Sequence, residues 1–199
     1  MANYEQTIQQ LYVAYFNRPA DPDGLAHWQK VIEMQGGSLA IVTAAFASSD
    51  EYKKTYAGKS TVEIVNTVYR NLFNRDGDDD GVKFWAAAMD DGKITINDVV
   101  AFIAAGARND DLVFYNNKVS YATGFTKALD LHPERSAYSG DEALAFAKQL
   151  TSAVTTDASL ATANAGMNTA TADFVAASRA PIVFTLSANA DTGVAFKGG

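Results

Sequence analysis

The sequence predicts an all-α protein in which duplicated three-helix units are followed by further helices in one bundle-like domain, closed by a short β-like tail. Three observations predict it. Apolar residues recur at helical spacing through most of the chain. Asn17-Arg18-Pro19-Ala20-Asp21-Pro22-Asp23-Gly24 returns as Asn74-Arg75-Asp76-Gly77-Asp78-Asp79-Asp80-Gly81, 57 residues on, and the register holds without a gap from Tyr12 against Tyr69 to Trp28 against Trp85. Self-similarity at a fixed offset marks a duplicated supersecondary unit. Finally, 48% hydrophobic content over 199 residues is enough for a buried core.

The elements follow in order. Ile8, Leu11, Tyr12, Tyr15 and Phe16 share one face of a helix around Tyr4 to Phe16. Asp21 is an N-cap with Pro22 at the first helical position of a second helix, through Leu25, Trp28, Val31 and Ile32, that stops before Gly36-Gly37. Leu39 to Phe46 forms a third helix, and Ser49 to Tyr52 adds a short turn. The second unit runs in parallel: Thr61 to Phe73, Asp79 to Met89, and Ile96 to Ala105. The repeats thus span about residues 4–50 and 61–107, and stacking them buries Trp28, Trp85 and the aromatic faces in one shared core.

A longer helix is predicted from Asp110 to Asp130, ended by His132-Pro133. Ala143 to Leu150 is helical. In the Ala-, Ser- and Thr-rich stretch that follows, Leu160, Met167 and Phe174 are seven apart, as are Ala163, Ala170 and Ala177, which reads as one helix with a bulky and a small seam. Ser178-Arg179-Ala180-Pro181 closes the helical domain of residues 1–179. Ile182 to Leu186 and Val194 to Phe196, on either side of Asn189 to Gly193, read as the strands of a hairpin within residues 180–199. Gly198-Gly199 straight after it suggests a piece of a longer protein.

Composition narrows the function classes. Sixteen basic against 23 acidic side chains give a formal charge of −7, with no basic stripe, which argues against nucleic acid and against bare anionic membrane. There is no cysteine, hence no disulfide, thiolate metal site or cysteine nucleophile. The two histidines lie far apart, and no nucleophile elbow, phosphate-binding loop or His-Glu-x-x-His run is present, so the expectation is no enzyme. No stretch is long and apolar enough to insert in a bilayer, and the N-terminus lacks the charged start and apolar run of a cleaved signal peptide.

Two places could hold a ligand. Asp76, Asp78 and Asp80 occupy positions one, three and five of a loop with Gly81 at six, the opening of an EF-hand-type calcium loop. Position twelve falls on Ala87, so a calcium ion would need a further oxygen, for which Asp90 in the following helix is the candidate. The first copy keeps only Asp21 and Asp23. The structural alternative is that Asp78 caps its helix, Asp79 and Asp80 sit at the positive end of its dipole, and Arg75 and Arg18 neutralise the acids at close range. The second place is Tyr115, Asn116, Asn117 and Lys118, read as an exposed polar segment able to hydrogen-bond a polar ligand. Trp28 and Trp85 could stack on a sugar but sit among apolar neighbours, as core residues do.

The repeated Tyr-x-x-x-Phe-Asn-Arg pattern with its Asp-x-Asp-Gly and Trp resembles a bacterial helical domain of unknown function found at the N-terminus of secreted surface-layer and haemolysin-type calcium-repeat proteins. The resemblance covers roughly Tyr4 to Ala107; Phe114 to Val119 and Phe184 to Gly193 are similar to what often follows. It implies a protein exported by a type I system to the outer cell surface, with a calcium-stabilised β-region further on. It also implies an anchoring role, holding an S-layer lattice to the O-antigen polysaccharide of lipopolysaccharide, with other copies of the chain as lattice partners. The alternatives are a self-assembly module that touches no sugar, and a surface adhesin or accessory domain.

Overall fold

The computed structural model describes residues 4–178, and the expected β-like tail of residues 180–199 lies outside them. Among the described residues there are twelve α-helices and no strand. The first repeat comprises α1 (Glu5–Phe16), α2 (Pro22–Met34), α3 (Ala40–Ser48) and α4 (Asp50–Tyr56). The second comprises α5 (Thr61–Phe73), α6 (Asp79–Asp90) and α7 (Ile96–Gly106). The rest are α8 (Asn109–Ala128), α9 (His132–Ala137), α10 (Gly140–Ser152), α11 (Asp157–Ala165) and α12 (Met167–Ser178).

Local chemistry sets most boundaries. Ser60 caps α5, with Glu63 reaching back to the Ser60 amide at 2.8 Å, a reciprocal capping box. Asn17 and Asn74 end α1 and α5 in the left-handed region, at φ 52° and 55°, a conformation asparagine tolerates better than most residues. Three expectations are corrected. The turn after α3 is a helix, α4, because Ser49 caps it by accepting from Tyr52 N (3.1 Å). His132-Pro133 opens α9 rather than only ending α8, since proline fits the first turn of a helix, where its missing N–H is no loss. The single seamed helix is two, α11 and α12, broken at Gly166, and α11 buries none of its residues.

Two cores result. In the larger, α1 and α5 lie against each other and against the first half of α8, with Tyr12, Tyr15, Phe16 and Phe46 from one repeat and Val68, Leu72, Phe73 and Ile103 from the other. This is the shared core expected of stacked repeats. Trp28 and Trp85 pack at its edge half-buried, and Trp28 Nε1 donates to Tyr12 Oη at 3.2 Å. In the smaller core, Tyr121 and Phe125 from the second half of α8 and Leu129 just past its end meet Tyr138, just past α9, with Ala147 of α10 and Phe174 of α12. At about 30 Å long for twenty residues, α8 is the shaft that joins the two.

Candidate functional site

The repeated Asn-Arg pair is a structural joint. Lys118, fully buried in α8, sends its ammonium between the ends of α1 and α5. There it donates to Asn17 Oδ1 (3.1 Å), Asn74 Oδ1 (2.5 Å) and the Asn71 carbonyl (2.6 Å). The two asparagine amides donate in turn to Ser152, Asn17 to its Oγ (2.7 Å) and Asn74 to its carbonyl (2.6 Å). Carbonyls at a helix C-terminus carry partial negative charge and have no intrahelical donor, so the ammonium serves the end of α5 through the Asn71 carbonyl and ties it to α1 through the Asn17 side chain. Burial nevertheless pushes that ammonium down to about 7.

The arginines next in sequence do the same thing in both copies. Arg18 Nη1 donates to the Pro19 carbonyl (3.0 Å) and the guanidinium lies over the Tyr12 and Phe16 rings; Arg75 Nη1 donates to the Asp76 carbonyl (2.8 Å) and lies over Tyr69 and Phe73. Their carboxylate partners come from later helices and not from the loop acids, which corrects the expectation of local neutralisation. Arg18 grips Glu51 of α4 (2.7 Å) and Arg75 grips Asp111 of α8 (2.6 Å). Burial works against the charge on Glu51, but Arg18 and Lys148 outweigh it and hold its carboxyl below the ordinary range.

The Asp-x-Asp-Gly element starts a helix. Asp21 Oδ1 accepts from Gly24 N (2.6 Å) and Asp78 Oδ1 from Gly81 N (2.8 Å), each as an N-cap. The glycine keeps room for that carboxylate: a Cβ on Gly24 would stand 2.6 Å from Asp21 Oδ2 and 2.7 Å from Tyr12 Oη. The structure does not gather Asp76, Asp78, Asp80 and Asp90 around a point. Asp76 pairs back with Arg70 (2.9 Å), Asp78 is spent on the cap, and Asp80 is exposed in the first turn of α6. Asp90 is the last residue of that helix, eleven positions from its first, or about 16 Å along the axis. Among the described residues no group of three or more histidine, aspartate or glutamate side chains is placed to hold a metal ion.

The segment read as exposed is corrected at three of its four positions. Tyr115 and Asn117 are buried beside Lys118; Asn117 Nδ2 donates to Asp157 Oδ1 (3.1 Å), tying α8 to α11. Asn116 alone faces out. It opens onto a groove of about 520 Å³ between α1 and α8, lined by Glu5, Gln6, Asn116, Ser120, Thr123 and Lys127, with a Lys127–Glu5 ion pair at 3.0 Å. Ser120, Thr123 and Lys127 were missed by sequence reasoning, although spacings of four, three and four from Asn116 place them on one helix face.

A different surface carries exposed aromatics. On α6 and α7 the Trp85 and Phe102 rings stack, 5.5 Å apart and 16° from parallel, with the Phe84 ring edge-on to Trp85 at 4.8 Å. Phe84 is 64% and Phe102 49% exposed. In the first repeat Trp28 packs instead on buried Phe46, with His27 in the place of Phe84.

No curated protein and no solved structure matches the chain. Residues 43–112 match a family model described as a domain of unknown function, DUF4214, running from inside α3 to the first turn of α8 and so taking in the whole second repeat. The chain is thus similar to that family over residues 43–112.

Proposed function

We propose that the chain is a non-catalytic anchoring module of a secreted, surface-layer-type protein, and that it binds the O-antigen polysaccharide of lipopolysaccharide in the groove between α1 and α8. The observation that carries this reading is the lining of that groove. Two amides (Gln6, Asn116), two hydroxyls (Ser120, Thr123) and one ion pair (Glu5, Lys127) face a trough open to solvent. Such a set both donates and accepts, as a hydroxyl-rich chain requires, with Thr123 left as an acceptor because its hydroxyl donates to the Val119 carbonyl, and without a net charge that would select a small anion. Each copy then needs only weak affinity, because a lattice of copies on one cell surface engages many chains at once.

The test is calorimetric titration with purified lipopolysaccharide, with and without O-antigen, in calcium and in chelator. Binding is expected only to the form with O-antigen, and Asn116→Ala with Ser120→Ala should weaken it about thirtyfold if each side chain supplies one hydrogen bond of about 1 kcal/mol. Equal binding to both forms, or none, overturns the reading. The exposed Phe84 and Phe102 favour a second reading, assembly between copies without sugar. Oligomers that grow with concentration in sedimentation and vanish in Phe84→Ser, with no sugar binding, would select it.

A further inference from the structure

The two arginine loops share one design, and only one of them is covered. Over the first lie α9 and α10. Tyr138 Oη donates to the Pro19 carbonyl (2.8 Å), its ring stands 5.9 Å from the Arg18 guanidinium carbon, and Lys148 reaches Glu51 at 2.9 Å. A phenol, its hydroxyl and an ammonium thus complete an Arg–carboxylate pair and a carbonyl. The Arg18 side chain is 9% exposed as a result.

In the second loop the receiving half is present without the covering half. Arg75 pairs with Asp111, donates to the Asp76 carbonyl and has the rings of its own helix, Tyr69 and Phe73, on one side. Among the described residues no third ring stands over it, no tyrosine hydroxyl reaches the Asp76 carbonyl, and no lysine joins Asp111. The Arg75 side chain is 46% exposed. In the same loop Asp76, Asp78, Asp79 and Asp80 are exposed, and exposed Asp110 adjoins Asp111 in sequence, which favours a cationic side chain on the partner.

We propose that the Arg75 loop docks a tyrosine- and lysine-bearing segment of another protein, in the way that α9 and α10 cover the Arg18 loop. The tyrosine ring lies on the guanidinium, its hydroxyl donates to the Asp76 carbonyl, and a lysine about ten residues on meets Asp111, the spacing being that of Tyr138 and Lys148 in the internal template. A second copy of this chain does not supply the segment. All nine tyrosines lie between Tyr4 and Tyr138, and none of them is exposed.

The internal template provides the probe. A synthetic peptide with the sequence of His132 to Ser152 is titrated into the isotope-labelled chain to millimolar concentration, and the Arg75 side-chain Nε–Hε signal and the Asp76 and Gly77 amides are followed by NMR. Saturable shifts confined to this loop are expected. The peptide carrying Tyr138→Phe should bind about fivefold more weakly, the loss of one hydrogen bond, and the Lys148→Glu peptide weaker still. In the Arg75→Gln chain the shifts should vanish while the circular dichroism stays helical. No shift at millimolar peptide overturns the proposal, as do shifts indifferent to the tyrosine hydroxyl and shifts centred on the Arg18 loop, which mean displacement of the chain's own α9. If O-antigen polysaccharide moves the Arg75 signal and the peptide does not, the loop is a sugar contact and the proposal fails.

Discussion

The two repeats carry the same loop and expose it differently. In the first, Arg18 is sealed under Tyr138 and held by Glu51, which Lys148 also braces; in the second, Arg75 holds Asp111 at the surface. One arrangement of guanidinium, carboxylate and carbonyl is thus interior scaffold on one side and available surface on the other. Burial, not residue identity, decides what the motif does. A charge pair in low dielectric without competing water is strongly coupled to folding, whereas the same pair in water contributes little.

The largest effect should separate the copies. Arg18→Ala removes a buried cation, leaves Glu51 to Lys148 alone and opens space beneath Tyr138, and should cost about 3–4 kcal/mol. Arg75→Ala, at an exposed pair, should cost about 0.5–1 kcal/mol. Urea unfolding of both variants measures the difference, and equal losses would mean that Arg75 is no less structural than Arg18.

Next in size is the joint that the copies share. Lys118→Met leaves the Asn71 carbonyl and two asparagine oxygens without their donor, at about 1–3 kcal/mol for an orphaned group, but it also removes the burial of a charge. The net loss should be about 2 kcal/mol. Hydrogen exchange should locate it at the ends of α1 and α5 together. Protection lost at one end only would show that Lys118 serves one repeat.

Much of the fold was legible because local signals agree. Asp21-Pro22 and the apolar stripes of α1 and α5 each specify a helix from within a few residues. The errors arose where a local signal has two meanings. His132-Pro133 can end one helix or begin the next. The seven-residue spacing of Leu160, Met167 and Phe174 runs straight across the break at Gly166, so Met167 and Phe174 enter the core while Leu160 is only half-buried.

The candidate site was less legible because its contacts are distant. Lys118 meets Asn17 across 101 residues and Asn74 across 44, and a lone lysine in a polar run reads as surface until both acceptors are in place. The carboxylate partners hid for a related reason. Glu51 lies 33 residues beyond Arg18 and Asp111 lies 36 beyond Arg75, so the 57-residue register does not align them. Asn116 was found as one polar residue among four, and only the shape of the groove separates it from its buried neighbours.

A further predicted effect is a slope with pH, and it belongs to the joint and not to either loop. Burial lowers the Lys118 ammonium to about 7, from 10.5 in the unfolded chain. Below about 7 both states hold this proton and Lys118 contributes no slope. Between the two values the unfolded chain binds more protons than the folded one, so stability rises with pH. No cysteine titrates in this window, but burial raises the core tyrosines, Tyr12 to about 12 from 10.0, so from about pH 9 upward the unfolded chain loses phenol protons that the folded one keeps and the slope turns downward. The urea midpoint should therefore climb from pH 7 to about 8.5 in the natural chain and stay level over that range in Lys118→Met. Parallel curves would mean that the three close oxygens hold the ammonium charged through the whole window, so that both repeats are pinned by a full cation; a slope in the natural chain alone would mean that a neutral amine suffices to join them.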